Sequence, residues 1–262
     1  MSLRNNLKNL AYFGLNSIFG SFSVKKAAIL MYHSIDYNKI FFTVSLENFK
    51  KQMNYLYKRK YNVISLTSLT DYLREKKEIS AKTIVLTFDD GYEDNYFNAF
   101  PVLKKYNFPA TVFLITGFIG KKKPNSANIP LQILNWSEIK EMHNSDLIDF
   151  EPHTVNHLKL TNIDLEQAEK EILESKNVIE RELKKKCHFF AYPYGDYNQG
   201  LKEILIKNKF LGAVGIKERL VSNNENLFSL KRNSIDSSVS FYQFKGKLNL
   251  SVNVFRKIFK NE

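Results

Sequence analysis

The chain contains one cysteine among its 262 residues, and its first 22 residues lack an uninterrupted apolar run. Cys187 cannot form a disulfide within the chain, so the cysteine content gives no sign of an oxidising compartment. A bilayer span needs about 20 mainly apolar residues, and the polar residues scattered through 1–22 exclude a span there. No repeat of about 20 to 50 residues is visible, which excludes an array of small repeats.

The chain also has few acidic residues. It contains 27 aspartates and glutamates and 39 lysines and arginines, which gives a net charge of +12. Such a surplus suits a polyanionic partner, which could be an anionic lipid surface, a phosphorylated carrier or nucleic acid. The lysine runs at 121–123 and 184–186 are short and match no nucleic-acid-binding module. The sequence therefore favours a lipid surface or a phosphorylated carrier over nucleic acid.

Apolar residues recur at helical spacing in residues 1–22, and Arg4 and Lys8 make the segment basic. The apolar stripe consists of Leu3, Leu7, Leu10, Ala11, Leu15, Ile18, Phe19 and Phe22. We predict a basic amphipathic helix that anchors the protein peripherally to the cytoplasmic side of the inner membrane. A helix packed against the domain is the first alternative. An export signal is the second, although Asn16 and Ser17 interrupt its core.

Length and composition allow one sizeable core, because 44% of the residues are hydrophobic. Strand-like and helix-like segments alternate along residues 23–262, which predicts a single α/β domain with a mainly parallel sheet. The predicted strands lie at 27–32, 63–65, 83–88, 110–115, 147–150, 188–192 and 212–215. The predicted helices lie at 46–60 after a Ser45 cap, 69–77 after a Ser68 cap, 95–106 and 165–186.

Two adjacent acids, Asp89 and Asp90, follow the apolar strand at 83–88 and precede Gly91. Functional sites of α/β folds are built at the carboxyl ends of their strands. Successive side chains that leave a strand point in different directions, so the two carboxylates can have different roles. The alternative is a simple turn, since Asp and Gly both favour turns.

Two histidines, His153 and His157, lie four residues apart further along the chain. On a helical turn they would face the same way and could bind one ion, as other closely spaced histidine pairs bind zinc. Two imidazoles and one carboxylate would leave coordination positions open, and the second carboxylate could then act on a water. This pattern predicts a metal-dependent hydrolase, with a pair of surface histidines as the alternative.

These motifs resemble those of the polysaccharide deacetylases, the NodB-homology domains of carbohydrate esterase family 4. Thr-Phe-Asp-Asp-Gly at 87–91 and His-Thr-Val-Asn-His at 153–157 resemble the first two family motifs. Leu-Asn-Trp-Ser-Glu-Ile at 134–139 is similar to the helix before the second motif, and Phe-Ala-Tyr-Pro-Tyr-Gly at 190–195 resembles the third. The resemblance extends from about residue 27 to about residue 236. It implies a deformed, incomplete (β/α) barrel.

The resemblance also implies residue roles. Asp90, His153 and His157 would bind one divalent metal ion, with zinc expected and cobalt, nickel, manganese or iron as alternatives. Asp89 would be the general base. The substrate-binding residues are expected to be Pro193, Tyr194 and Trp136, and the Tyr194 backbone N–H would stabilise the oxyanion.

The sequence departs from the family pattern in two places. The arginine of the third motif, which holds the catalytic aspartate, is replaced by Ala191. We predict that Arg232 orients Asp89 instead, and the alternative is a solvated arginine. A late Leu-x-His motif is also missing, because no histidine follows His188. His33 ends a short apolar strand that resembles this motif moved to the front, as in circularly permuted members, so His33 is expected to be the general acid. The alternative is a buried residue that caps backbone.

The expected function is metal-dependent removal of an N-acyl group, expected to be acetyl, from an amino sugar. The substrate would be a polysaccharide or a lipid-linked glycan precursor. One alternative is an inactive sugar-binding module of the same fold. Another is an amidase that acts on small cyclic amides or peptides.

Overall fold

The structure is a computed structural model that describes residues 3–20, 24–124 and 129–259. Phe22 and the side chains of Leu3 and Arg4, which belong to the predicted amphipathic segment, lie outside the described part.

Short strands alternate with helices along the described chain. The strands are β1 Ala27–Tyr32, β2 Ser34–Ile35, β3 Thr43–Val44, β4 Asn62–Val63, β5 Thr83–Phe88, β6 Ala110–Leu114, β7 Lys122–Lys123, β8 Leu131–Gln132, β9 Ile148–Pro152, β10 Phe189–Ala191, β11 Gly212–Val214 and β12 Asn233–Ser234. The α-helices are α1 Leu3–Phe19, α2 Leu46–Lys58, α3 Leu66–Arg74, α4 Phe100–Tyr106, α5 Trp136–His143, α6 Leu165–Leu183, α7 Gln199–Lys207, α8 Phe241–Lys247 and α9 Ser251–Phe259. A π-helical turn lies at Asn95–Ala99, and 3₁₀ turns lie at Thr116–Phe118, Leu160–Asn162, Pro193–Gly195 and Leu227–Ser229.

The main sheet is parallel and has the order β12-β1-β5-β6-β9, with β4 also paired to β5. Strands β10 and β11 form a second parallel pair. The bridge between Val214 and Leu230 leads from β11 towards β12, which pairs with β1. The first and last strands of the domain are therefore neighbours. The predicted α/β class is confirmed.

Alternate side chains of the strands enter two different cores. Leu30 and Leu86 pack with the outer helices, whereas Ile29 and Val85 point the other way. The second core also receives Phe113 from β6, Phe189 from β10 and Val214 from β11. Side chains from both sheets thus meet in one interior, as in a barrel that is not fully closed. This arrangement brings the carboxyl ends of the strands to one face.

Two predicted helices differ from the structure near their N-termini. Helix α3 begins at Leu66 because the Ser65 hydroxyl accepts a hydrogen bond from the Ser68 N–H at 3.0 Å, so the predicted Ser68 cap is wrong. The predicted helix at 95–106 begins with a π turn, in which the Asn95 amide donates to the His33 carbonyl. This contact ties the start of the helix to the end of β1.

Helix α1 packs against α8 and α9. Tyr12 is 3% exposed, and its ring stacks on Phe255 with the ring centres 4.5 Å apart. Gly246 of α8 permits this approach, because a Cβ atom there would overlap the Tyr12 ring. In the part of the chain that the structure describes, no helix has the length and apolar composition needed to cross a membrane.

We predict that Tyr12→Ala lowers the free energy of unfolding by about 3 to 5 kcal/mol, as expected when a large buried aromatic side chain is removed. Leu10→Ala is the matched control on the same helix. Leu10 is 69% exposed, so its loss should change stability by only about 0.5 kcal/mol. Urea denaturation measures both variants. Equal stabilities for the two would contradict the packing of α1.

Candidate active site

A cavity of about 760 Å³ opens at the carboxyl ends of the parallel strands. It collects residues from the ends of β1, β5, β9 and β12 and from the turn after β10. The polar residues of its lining are His33, Asp89, Asp90, Tyr92, Lys123, His153, Asn156, His157, Tyr194, Ser234 and Asp236. The cavity therefore brings together the motif residues that are distant in sequence.

Asp89 forms a bidentate ion pair with Arg232. The two guanidinium nitrogens lie 2.6 and 2.7 Å from the two carboxylate oxygens, and Arg232 is fully buried. Arg232 also donates to the Thr87 hydroxyl and to the Gly215 carbonyl. Burial would raise the pKa of Asp89, but the opposing charge of Arg232 prevails and holds that pKa below its usual value. Asp89 is thus an oriented carboxylate at neutral pH.

Asp90 has a different environment although it is the next residue. Its Oδ2 atom accepts hydrogen bonds from the Tyr92 hydroxyl at 2.8 Å and from Lys123 Nζ at 3.0 Å. Its Oδ1 atom is buried and has no hydrogen-bond partner among the described residues. Burial acts to raise the pKa of Asp90, and Lys123 together with nearby imidazoles holds it well below the usual range. The carboxylate thus has one satisfied and one unsatisfied oxygen.

The unsatisfied oxygen faces both motif histidines. Asp90 Oδ1 lies 3.7 Å from His153 Nε2 and 3.5 Å from His157 Nε2. The three side chains form a group whose ligand atoms all lie within 4.8 Å of one another. Tetrahedral coordination at about 2 Å places ligand atoms about 3.3 Å apart, so the two distances from Asp90 Oδ1 are close to what a zinc ion requires. The orphaned Oδ1 atom and the two imidazoles fit a divalent metal ion.

Both imidazoles are neutral at physiological pH, as a histidine that binds a metal ion must be. Burial lowers the pKa of His153, and it lowers the pKa of His157 to about 3. The Nδ1 atom of His153 lies 2.7 Å from the Ala191 carbonyl oxygen, so the protonated Nδ1 donates there and Nε2 keeps its lone pair. Ala191, which lacks the side chain of the family arginine, thus contributes through its backbone.

The histidines converge from a loop rather than from the helical turn that the spacing predicted. His157 has φ of +58° and Thr154 has φ of +68°, which no helix permits. The Thr154 hydroxyl accepts a hydrogen bond from the His157 N–H at 2.8 Å. The Glu171 carboxylate accepts three further bonds, from the Val155 and Asn156 N–H groups and from the Asn156 amide. The loop is therefore held by α6.

Four residues of the site have left-handed backbone conformations. Asp90, Thr154, His157 and Tyr194 are non-glycine residues with φ between +58° and +73°. Each such residue costs about 1 to 3 kcal/mol and persists only where surrounding contacts enforce it. Strain of this kind is typical of sites where side-chain direction matters more than local stability.

The other predicted site residues differ in their position relative to Asp90, His153 and His157. Tyr194 is on the rim, 59% exposed, and its ring centre lies 4.8 Å from that of His157. Pro193 is buried in the same turn. His33 is half-buried and lines the cavity. Trp136, by contrast, does not line the cavity but begins α5 and packs against the main hydrophobic core.

Sequence analysis assigned no role in the site to two residues at its centre. Tyr92 follows Gly91 directly, but nothing else in the sequence indicates that its hydroxyl donates a hydrogen bond to Asp90. Lys123 belongs to the lysine run at 121–123, yet it is only 9% exposed and its ammonium group contacts Asp90. Its neighbour Pro124 also lines the cavity. The sequence shows that residues 121–123 are basic, but only the fold shows that Lys123 is the lysine that turns inward.

Comparisons with known proteins agree with this geometry. The family model for polysaccharide deacetylase matches residues 76–211. YxkH of Bacillus subtilis (strain 168), whose name assigns it to the polysaccharide deacetylases, is 31% identical over 215 residues, which cover 82% of this chain and 73% of the relative. The poly-beta-1,6-N-acetyl-D-glucosamine N-deacetylase of Staphylococcus aureus (strain MSSA476) is 29% identical over 199 residues, covering 73% of this chain and 67% of that enzyme.

A solved structure shows the same architecture. The Streptococcus pyogenes deacetylase PplD, determined in complex with acetate, superposes with a TM-score of 0.74 and 28% identity, covering 87% of this chain and 99% of that one. The family model matches more than half of the chain, and its boundaries include both motifs that supply Asp89, Asp90, His153 and His157. This chain belongs to the polysaccharide deacetylase family.

Proposed function

We propose that this protein is a metal-dependent N-deacetylase that hydrolyses the acetamido group of an amino sugar in a glycan. The observation that carries the proposal is the pairing of two adjacent carboxylates with different partners. Asp90 turns a free oxygen towards two neutral imidazoles, whereas Asp89 is bound to Arg232. One carboxylate can hold a metal ion while the other accepts a proton.

The three convergent side chains Asp90, His153 and His157 would hold the metal ion, and two nitrogens with one oxygen suit zinc. A divalent ion in such a site lowers the pKa of a coordinated water and polarises the amide carbonyl. Tyr92 and Lys123 hold the second oxygen of Asp90, so the carboxylate cannot rotate away from the histidines.

Asp89 would take a proton from the attacking water as the carbon–oxygen bond forms. Arg232 fixes the plane of its carboxylate, which supplies the orientation that the family arginine supplies elsewhere. The Tyr194 N–H would donate to the oxygen that gains negative charge during attack. When the carbon–nitrogen bond breaks, the nitrogen must receive a proton, and His33 in the same cavity would donate it. The products are acetate and a free amine.

The shape of the cavity favours a glycan over a small cyclic amide. Its volume of about 760 Å³ lies in the upper part of the range for ligand-binding clefts. Phe41, Phe42, Phe118 and Tyr194 line it, and aromatic faces of this kind pack against the apolar faces of sugar rings. The S. aureus relative acts by name on a β-1,6-linked polymer of N-acetylglucosamine, which is our first candidate substrate. A lipid-linked acetylated amino sugar is the second.

We expect acetate release from acetylated β-1,6-linked glucosamine oligomers or from undecaprenyl-phosphate-linked acetylated amino sugars. Asp89→Asn should keep bound metal while the rate falls by about 100- to 10,000-fold, because only the base is lost. Asp90→Asn and His157→Ala should lose the metal as well as the activity. Elemental mass spectrometry of the purified variants measures the metal.

Full activity after rigorous chelation would contradict the proposal. Loss of metal from Asp89→Asn together with its retention in Asp90→Asn would show that the roles of the two acids are reversed. Absence of hydrolysis on both substrate classes by a metal-loaded protein would favour an inactive sugar-binding module.

Arg232→Leu should destabilise the protein by about 3 to 5 kcal/mol at neutral pH, because it leaves the Asp89 carboxylate buried without its partner. In the native protein the lowered pKa of Asp89 contributes stability above the unfolded pKa of about 4, and this contribution is lost as pH falls. In the variant, burial raises that pKa, so the deficit should shrink as acid neutralises the carboxylate. Urea denaturation between neutral and acidic pH measures this.

The double variant Arg232→Leu, Asp89→Asn is the control, since it removes the unpaired charge and should recover much of the stability at neutral pH. A deficit that stays constant with pH and persists in the double variant would mean that Arg232 acts through packing alone.

His33→Ala should fold and bind metal as the wild type does but lose most of its turnover, because the leaving nitrogen would lack its proton donor. His33→Gln can form hydrogen bonds but cannot supply that proton, so it should restore little activity. Single-turnover acetate release across pH measures the effect and should show loss of the limb that reports the acid. Unimpaired turnover in His33→Ala would exclude the assignment.

A further inference from the structure

Helices α1 and α9 leave large apolar side chains in solvent on one side of the protein. Leu7 and Leu10 from α1 and Ile258 and Phe259 from α9 are each about 60% exposed or more. Together with Ile18 they border an open groove of about 640 Å³ between the two helices. Contiguous apolar surface of this kind marks an interaction site rather than ordinary exposure of single residues. We call this surface the α1/α9 face.

The apolar side of α1 is exposed because its polar side is turned inward. The Asn16 amide donates to the Tyr242 carbonyl at 2.9 Å, and Asn9 accepts from the Gln243 amide at 2.7 Å. The Asn5 amide donates to the Ser238 carbonyl. A helix that packs in the ordinary way buries its apolar side and exposes its polar one. These hydrogen bonds fix the opposite rotation, so the exposed leucines are a stable feature of the fold.

The helices that form and support the α1/α9 face carry charge of one sign. The sequences of α1, α8 and α9 contain neither aspartate nor glutamate. Lys8 lines the groove, and Lys257 is exposed beside Ile258. An apolar surface with a cationic border is complementary to a bilayer that carries anionic headgroups.

We propose that the α1/α9 face docks the protein on an anionic lipid bilayer. Leu7, Leu10 and Phe259 enter the boundary between headgroups and acyl chains, while Lys8 and Lys257 contact the headgroups. The attachment is peripheral, with both helices lying along the surface.

Charge argues against a second copy of the chain as the occupant. In a symmetric dimer the same patch meets itself. Lys8 and Lys257 would then approach their own counterparts, and the three helices supply no acid to neutralise them. Like charges placed opposite each other disfavour such a contact. An anionic lipid surface has no such penalty.

The α1/α9 face lies close to the candidate active site. A depression of about 300 Å³ shares Ile216, Ser234 and Asp236 with the catalytic cavity and shares Lys8 with the apolar groove. Docking would therefore hold the cavity near the headgroups. This consequence rests on the proposed function, whereas docking itself can be measured without any substrate.

The test is co-sedimentation of the purified full chain with vesicles of phosphatidylcholine that contain about one-third phosphatidylglycerol. The wild type should bind these vesicles, should bind pure phosphatidylcholine at least about tenfold more weakly, and should be released at high salt. Leu10→Glu combined with Ile18→Glu should lower the partition coefficient by about tenfold or more. Both residues are exposed, so the variant should keep its melting temperature.

The matched control is Phe97→Glu combined with Ile206→Glu. These residues are 59% and 54% exposed, lie outside α1 and α9, and change the net charge by the same amount. The control should bind like the wild type. Equal losses in both variants, or binding of the wild type that ignores phosphatidylglycerol, would overturn the proposal.

Sedimentation velocity without lipid tests the rival occupant. A wild-type dimer that Leu10→Glu with Ile18→Glu converts to a monomer would assign the face to a second copy and overturn the proposal. Acetate release from a soluble substrate should be the same in the wild type and in both double variants. Failed vesicle binding by a hydrolytically active protein would therefore reject docking alone.

Discussion

The bidentate ion pair between Arg232 and Asp89 joins the last strand segment of the domain to the central strand β5. Burying a guanidinium completely is costly unless its donors are satisfied. Here all three of its nitrogens donate, to the carboxylate, the Thr87 hydroxyl and the Gly215 carbonyl. Arg232 can reach Asp89 because β12 lies beside β1, which in turn pairs with β5. Near-closure of the barrel and orientation of the proposed base therefore depend on the same interaction.

Two adjacent carboxylates acquire different chemistry because the chain reverses its backbone conformation between them. Asp90 has φ of +73°, so its side chain leaves the direction set by β5 and turns towards the histidine loop. Asp89 lines the cavity and stays paired with Arg232. Acid–base sites commonly contain two titratable groups whose different environments give them different roles. The strain is offset by contacts on both sides, namely the ion pair of Asp89 and the bonds that Tyr92 and Lys123 donate to Asp90.

Local pattern predicted most of the strands, since β1 and β5 are apolar segments whose ends are visible in the sequence. It also predicted the acids and histidines of the site, because each has a motif. Pattern failed where tertiary contacts decide the conformation. The histidine loop is shaped by the Glu171 carboxylate, which is distant from His153 in sequence. Lys123 turns inward from the antiparallel pair of β7 and β8, whose two-residue strands have no periodicity to detect.

Helix α1 shows the limit of amphipathic pattern as a predictor. The periodicity of leucines indicates a helix with one apolar side, and the structure has that helix. Periodicity does not say which side turns inward, because the free energy of burying leucines competes with tertiary hydrogen bonds and with the packing of single residues. Here the asparagine amides and the ring of Tyr12 occupy the contact with α8 and α9. The leucines are left exposed to solvent, which is unfavourable in water. Their exposure supports the proposed docking on a bilayer, whose interior is apolar.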